Sequence, residues 1–259
     1  MSYPTRLTFL YSTLIPSGGI SCDASIETSY PLTNLTGDVV STVCRTMAKE
    51  NNTKVIYTVD LGTAASVDTF AIGGHNFSTS GGTFRVTTGS PGITNSWEIT
   101  MTEGHMILHA SPEVSTRYWR FEASQDTSDG YYELGVVWCG MRTELDVNPQ
   151  IPIDILYNHN VTSMQTAGGQ KWTYNNYTQR GYTFKFITDF SLSNYETLRA
   201  VFADRGYGKP FFFHLKPYTC NASLYADPDD LLFAHFEEWS FSIDGKDARP
   251  GTVTILEEL

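Results

Sequence analysis

Apolar residues in this chain come in short runs that alternate with polar ones and stop at turn-forming residues. Val55-Ile56-Tyr57-Thr58-Val59 stops at Asp60-Leu61-Gly62, Val67 to Ile72 stops at Gly73-Gly74, and Phe84 to Thr87 stops at Gly89-Ser90-Pro91-Gly92. A period of two, punctuated by Gly and Pro at close intervals, predicts the short strands of a sandwich or barrel. Trp97 to Thr102 and His105 to His109 read as a hairpin about Glu103-Gly104. Tyr118 to Ala123 and Leu134 to Trp138 alternate in the same way.

From Arg142 the pattern lapses into Thr143-Glu144-Leu145-Asp146-Val147-Asn148-Pro149-Gln150, and a polar stretch ending in proline is where a domain junction is expected. The predicted division is therefore 1–145 and 150–259. Beyond it, strands are predicted at Ile151 to Tyr157, Tyr182 to Ile187, Phe211 to Leu215, Leu232 to Phe236, Trp239 to Ile243 and Thr252 to Leu256. The period changes once. Ser193 with Glu196 three residues on forms a capping box, Tyr195, Leu198 and Phe202 share a helical face, and Gly206 supplies a stop.

Composition supports this picture. The chain has 259 residues, of which 41% are hydrophobic, 14% aromatic and only 17% charged, with 21 Gly and 11 Pro. That is enough chain for two β-domains, each with its own core. The formal net charge of −11 leaves no basic surface for phosphate contacts, so nucleic acid is excluded as a partner. No apolar run of about 18 residues exists, which argues against membrane insertion. Met1 to Gly19 lacks the continuous apolar core of a signal peptide, so synthesis in a cytoplasm is expected. In that compartment Cys22, Cys44, Cys139 and Cys220, none of them closely paired in sequence, read as free and buried thiols.

Catalytic chemistry lacks its parts. Glu237 and Glu238 are adjacent and point to opposite faces of a strand, while Asp126 with Asp129, and Asp227 with Asp229 and Asp230, sit in turn-rich segments. His105 and His109 share a face, but neither an intervening glutamate nor a third ligand accompanies them, and no nucleophile elbow or phosphate-binding glycine loop occurs. The expectation is a protein that is not an enzyme and carries neither cofactor nor metal.

Residues 20–141 carry a resemblance. Asn34-Leu35, Val43-Cys44-Arg45-Thr46, Val59-Asp60-Leu61-Gly62, Val67 to Ile72, Asn76-Phe77, Phe84-Arg85-Val86, Arg117-Tyr118-Trp119-Arg120-Phe121 and Tyr132-Glu133-Leu134-Gly135-Val136 follow in an order that resembles the discoidin, or galactose-binding-like, family. This implies a jelly-roll β-sandwich. The second half, through Gln179-Arg180-Gly181-Tyr182, the helix, Gly206-Tyr207-Gly208-Lys209-Pro210-Phe211 and Pro250 to Ile255, resembles the compact β-domain of minor and distal tail proteins of long-tailed bacteriophages. The fold class implied is mainly all-β: an N-terminal jelly-roll and a C-terminal compact β-sandwich or barrel with one short helix.

The second resemblance implies a structural part of a virion tail tip that forms a homo-oligomeric ring and contacts the tail tube and tail hub. The first permits recognition of a host-surface glycan, the alternative main role. Candidate sugar contacts are the aromatic residues Tyr30, Trp97, Tyr131 and Tyr132 and the acceptors Asp126, Asp129 and Glu133, with ordinary packing as the bland reading of the aromatics. Phe211-Phe212-Phe213 places Phe212 on the face opposite its neighbours, so a one-sided core would leave Phe212 for a neighbouring subunit to cover.

Overall fold

The computed structural model describes residues 7–47, 54–77, 83–89, 92–99, 104–124, 131–146, 150–186, 192–215, 231–244 and 247–258. The strands, in chain order, are β1 (Thr8–Leu10), β2 (Ile20–Cys22), β3 (Cys44–Arg45), β4 (Val55–His75), β5 (Thr83–Thr88), β6 (Asn95–Ile99), β7 (Gly104–Ser124), β8 (Glu133–Leu134), β9 (Val136–Gly140), β10 (Thr143–Glu144), β11 (Gln150–Gln165), β12 (Lys171–Lys185), β13 (Phe211–His214), β14 (Leu231–Asp244) and β15 (Asp247–Glu257). One α-helix, α1, spans Leu192–Arg205, and a 3-10 turn spans Leu32–Thr36. The expected class, mainly antiparallel β with one short helix, is the one observed.

The chain forms two compact units: Met1–Leu145 with Pro210–Phe233, and Asp146–Lys209 with Ala234–Leu259. The break after Leu145 falls inside the polar stretch, but residues 210–233, expected in the second domain, belong to the first unit. Their recruitment has a packing cause. β13 lies against β1 in antiparallel register, Phe9 opposite Phe213 and Leu10 opposite Phe212. Phe9 is wholly buried, its ring centroid 5.8 Å from that of Phe211 and 5.5 Å from that of Phe213.

Within the first unit the main sheet runs β2-β4-β7-β5-β6, with β9 also on β4. Two predicted strands, Val55 to Val59 and Val67 to Ile72, are one strand with a register shift between Asp60 and Ala65. At that irregularity Gly62 takes φ +77°, and its N–H donates to Asp60 Oδ1 at 2.8 Å, so the Asp-Leu-Gly turns the chain locally without ending the strand. Among the described residues the predicted hairpin is not formed, since Trp97 to Ile99 do not pair with His105 to His109. β6 pairs with β5 and β7 pairs with β4 and β5, so β6 and β7, consecutive in sequence, are separated by β5 in the sheet.

The core of this sheet is aromatic. Trp119 and Phe121 alternate inward from β7 as expected and are fully buried, with Tyr57 stacked on Phe121 at 4.6 Å and Phe70 on Trp119 at 6.2 Å. Full burial of each such ring contributes roughly 1.5–3 kcal/mol. β9 is buried at every position. Val137 and Cys139 join this core, whereas Trp138 meets Phe212 at 5.7 Å and Phe233 at 5.7 Å. The expectation that Phe212 faces a neighbouring subunit is thereby corrected: Phe212 is 1% exposed, enclosed by Trp138, Phe233 and His105 of its own unit.

In the second unit β14, from Ala234 onward, pairs with β15, β15 with β12, and β12 with β11. Helix α1 begins at Leu192, so Ser193 lies inside it and does not cap it. Its buried face is Asn194, Leu198 and Val201; Tyr195 and Phe202 flank that face half-buried, with Phe202 stacked on Trp239 at 4.6 Å.

Candidate functional site

The short antiparallel pair β3–β8 sets Arg45 directly opposite Glu133. Opposite charges in such a cross-strand pair are within reach of each other. Arg45 Nε donates to Glu133 Oε1 at 2.7 Å, and Nη2 bonds the same oxygen more closely still. Glu27 Oε2 lies 3.9 Å from Nη1.

Two tyrosines hold the guanidinium between them. Its central carbon is 4.1 Å from the centre of the Tyr30 ring and 4.6 Å from that of Tyr131. A delocalised cation is attracted to each ring face. The cluster is built by backbone contacts: Arg45 N–H donates to Tyr30 O at 3.1 Å and Glu27 N–H to Arg45 O at 2.9 Å, wrapping the 27–30 turn around the arginine.

The Tyr131–Glu133 segment is pinned from two sides. Asn76 Nδ2 donates to Tyr131 O at 3.2 Å, and Asn76 Oδ1 accepts from Glu133 N–H at 2.8 Å. Thr46 Oγ1 accepts from Tyr132 N–H at 2.9 Å. Each rigid partner lowers the entropy that ordering the site on binding would cost.

The side chains of Arg45, Glu133 and Glu27 retain 25%, 21% and 33% of their exposure, so the cluster is fixed yet open to solvent. The bond to Glu133, then the field of that carboxylate and of Tyr30 and Glu27, raises the Arg45 pKa further above its ordinary value; it stays a cation. Donors, acceptors and two aromatic faces within a few ångströms suit a ligand rich in hydroxyls. They do not form an acid–base pair poised for bond cleavage.

Of the sequence-predicted contacts, Tyr30 and Tyr131 come together here, and Glu133 joins them. Trp97 is instead 8% exposed and stacked on Trp119 at 5.9 Å, and Tyr132 is 2% exposed and packed T-shaped with Phe77, so both are core residues and not surface contacts. Asp126 and Asp129 lie outside the described residues. Arg45 and Glu27 escaped sequence reasoning as contacts. The available signal was an arginine directly after Val43-Cys44, in a chain with few charges.

A second polar cluster is buried. Thr69 Oγ1 donates to Asp68 Oδ1 at 3.0 Å and lies 3.1 Å from His109 Nδ1, and His109 Nε2 lies 3.1 Å from His214 Nδ1. Arg142 closes the chain, its backbone N–H 2.8 Å and its Nη1 3.4 Å from the Asp68 carboxylate. Burial nonetheless raises the Asp68 pKa above the ordinary carboxylate value. Asp68, Thr69, His109 and His214 are all buried residues, which makes this a structural network and no ligand site. Among the described residues no group of three or more His, Cys, Asp or Glu is arranged to hold a metal ion.

No family model matches the chain, and the curated proteins hold no significant match to it. Solved structures resemble half of it. A chitosan-binding module from a chitosanase/glucanase of Paenibacillus sp. IK-5 has 14% identity and a TM-score of 0.40, with 49% of this chain and 98% of that one covered. A fucose-binding module of Streptococcus pneumoniae has 15% identity and a TM-score of 0.39, covering 50% and 95%. The module CBM32-1 from a family 31 glycoside hydrolase of Clostridium perfringens has 7% identity and a TM-score of 0.36, covering 48% and 95%. Likeness of this degree is shared by proteins of unrelated function, so function has to be read from the site.

Proposed function

We propose that this protein is a non-catalytic glycan-binding component whose first unit takes a hydroxyl-rich ligand at Tyr30, Arg45, Tyr131, Glu133 and Glu27. The observation that carries this reading is the guanidinium fixed between two tyrosine rings and tied to a carboxylate while still open to solvent. Arg45 donates to sugar hydroxyls, Glu27 and Glu133 accept from them, and the ring of either tyrosine stacks on a sugar's apolar face.

The test is calorimetric titration of the whole protein with a panel of neutral oligosaccharides, repeated on Arg45→Ala and Tyr131→Ala. Binding by the native protein and a tenfold or greater loss in both variants, with unchanged circular dichroism, is the expected result. Binding that survives both substitutions places the ligand elsewhere, and no binding across the panel removes the reading.

A second role is favoured by a separate feature. The ribbon β11–β12 exposes an unusual number of large apolar side chains, among them Trp172, Tyr174 and Met164, as an assembly protein would. In this reading the chain is a structural component of a phage tail tip, associating with itself and with tail-tube and hub proteins. Immunolabelling of intact particles tests it: label at the distal tail supports it, and particles that carry none refute it.

A further inference from the structure

β12 pairs with β15 from Gly181 to Lys185 and Gln179 and Arg180 still reach Glu257, but among the described residues β11 and β12 bond only each other from Thr178 to the ribbon tip. The ribbon closes at a turn where Gly169 takes φ +84° and donates to Thr166 O at 2.9 Å. Polar side chains lace its surface: Asn176 Nδ2 donates to Asn160 Oδ1 at 2.8 Å and to Thr162 Oγ1 at 2.7 Å. From Tyr157 to Tyr177 every residue is exposed. A lone two-stranded ribbon is marginal in water, and a third or fourth strand is what stabilises it.

The ribbon is also apolar. Met164, Trp172, Tyr174 and Tyr177, between 45% and 71% exposed, share one face, since Met164 opposes Trp172, Thr162 opposes Tyr174 and Asn160 opposes Tyr177. Ile155, Tyr157 and Val161 are exposed on the other.

Its outer edge is open. Among the described residues β11 is the last strand of its sheet. From Ile155 to Gln165 it contains no Pro, Lys, Arg, Asp or Glu, the residues that ordinarily keep an edge strand from pairing. Charge says what pairs there. The chain carries −11, whereas residues 155–179 carry a single charged side chain, Lys171, so this is a stretch where two copies approach without the repulsion the rest of the chain would meet. Eleven paired residues extend about 37 Å. With side chains on both faces, an edge of that length and roughly 10 Å depth presents on the order of 400 Å² per copy, the low end of specific interfaces.

We infer that two copies of this chain pair through their β11 strands, antiparallel about a two-fold axis at Asn160, making a four-stranded sheet β12-β11-β11-β12. A two-fold perpendicular to the sheet keeps like faces together, so residues of equal parity meet. Centred on Asn160, this places Leu156 opposite Met164 of the other copy, Asn158 opposite Thr162 and Tyr157 opposite Ser163. No like charges face one another, and the aromatic faces of both ribbons join into one surface. The inference is independent of the proposed glycan site and gives the self-association of the second reading a specific geometry.

The experiment is solution mass by light scattering on the whole protein, with a charge swap at one cross-strand pair. Tyr157 is 62% exposed and Ser163 is also exposed, so both substitutions are compatible with the folded chain, as circular dichroism verifies. The native protein is expected at twice the chain mass. Tyr157→Lys with Ser163→Lys puts lysine against lysine at both symmetric positions and is expected to weaken the dimer tenfold or more. Tyr157→Lys with Ser163→Glu puts opposite charges together and is expected to restore it. A native monomer, a ring of higher mass unaffected by the double lysine variant, or equal behaviour of the two variants would each overturn the inference.

Discussion

His109 of β7 and His214 of β13 stack with their ring planes 3° apart and centroids at 5.3 Å, and His109 Nε2 meets His214 Nδ1 at 3.1 Å. One of those nitrogens carries the shared hydrogen and the other accepts it. Residues 105 positions apart in the chain are thus joined in the buried interior of the first unit. His214→Leu removes the bond and the ring contact together, and a buried hydrogen bond lost on one side costs about 1–3 kcal/mol. Urea denaturation should register that loss. A double-mutant cycle with His109→Leu should give a coupling above about 0.5 kcal/mol; additivity of the two substitutions would show that the pair contributes nothing jointly.

His75 gives the fold a pH dependence. Its Nδ1 accepts from Phe77 N–H at 3.2 Å, while its Nε2 is buried with no hydrogen-bond partner among the described residues. Burial first, and the neighbouring His105 second, push its pKa from 6.5 down to about 3. Because the folded value lies below the unfolded one, this contribution to stability is complete above pH 6.5 and is lost as pH falls toward about 3. The loss is on the order of 1 kcal/mol per pH unit within that window. Thermal unfolding scanned from pH 7 to pH 4 should show the decline, and His75→Phe, which keeps a ring against Phe77, should flatten it. An unaltered slope in that variant would assign the decline to other groups.

Phe212 belongs to the core. Phe212→Ala empties a site lined by Trp138, Phe233 and His105 and should cost about 3–5 kcal/mol in denaturant titrations. Phe212→Asp buries a charge with no partner and should leave the first unit unfolded. A folded and stable Phe212→Asp protein would show that this face is open to solvent.

Truncation probes the domain organisation. The polypeptide passes between the units after Leu145, after Lys209 and after Phe233, so cutting the polar stretch alone separates nothing. A fragment ending at Leu145 lacks β13 and leaves Phe9 without Phe211 and Phe213. Its amide NMR spectrum should lack the dispersion of a folded β-protein. A fully dispersed spectrum from that fragment would mean that residues 210–233 are dispensable to the first unit.

What the sequence determined is local. Alternation at period two depends only on which face each residue presents, so Trp119 and Phe121 could be placed on one face before any pairing was known. Gly62 and Asp60 fix a turn by their own conformational preferences, and the heptad-like spacing in 192–205 fixes a helix, although its first residue depends on context.

Which strand lies beside which is a matter of long-range packing, and there the pattern was silent or misleading. β6 pairs with β5, the strand before it, and not with β7, the strand after it. β13 left the second half of the chain because Phe211, Phe212 and Phe213 bury on both faces only between Phe9 on one side and Trp138 on the other. The candidate site shares that origin. Arg45 meets Glu133 across 88 residues and is clasped by Tyr30 and Tyr131, a geometry fixed by the pairing of two-residue strands too short to leave a periodic signal. Trp97 and Tyr132 carry the same aromatic chemistry as Tyr30 and Tyr131, and only tertiary burial decided which rings became core and which remained at the surface.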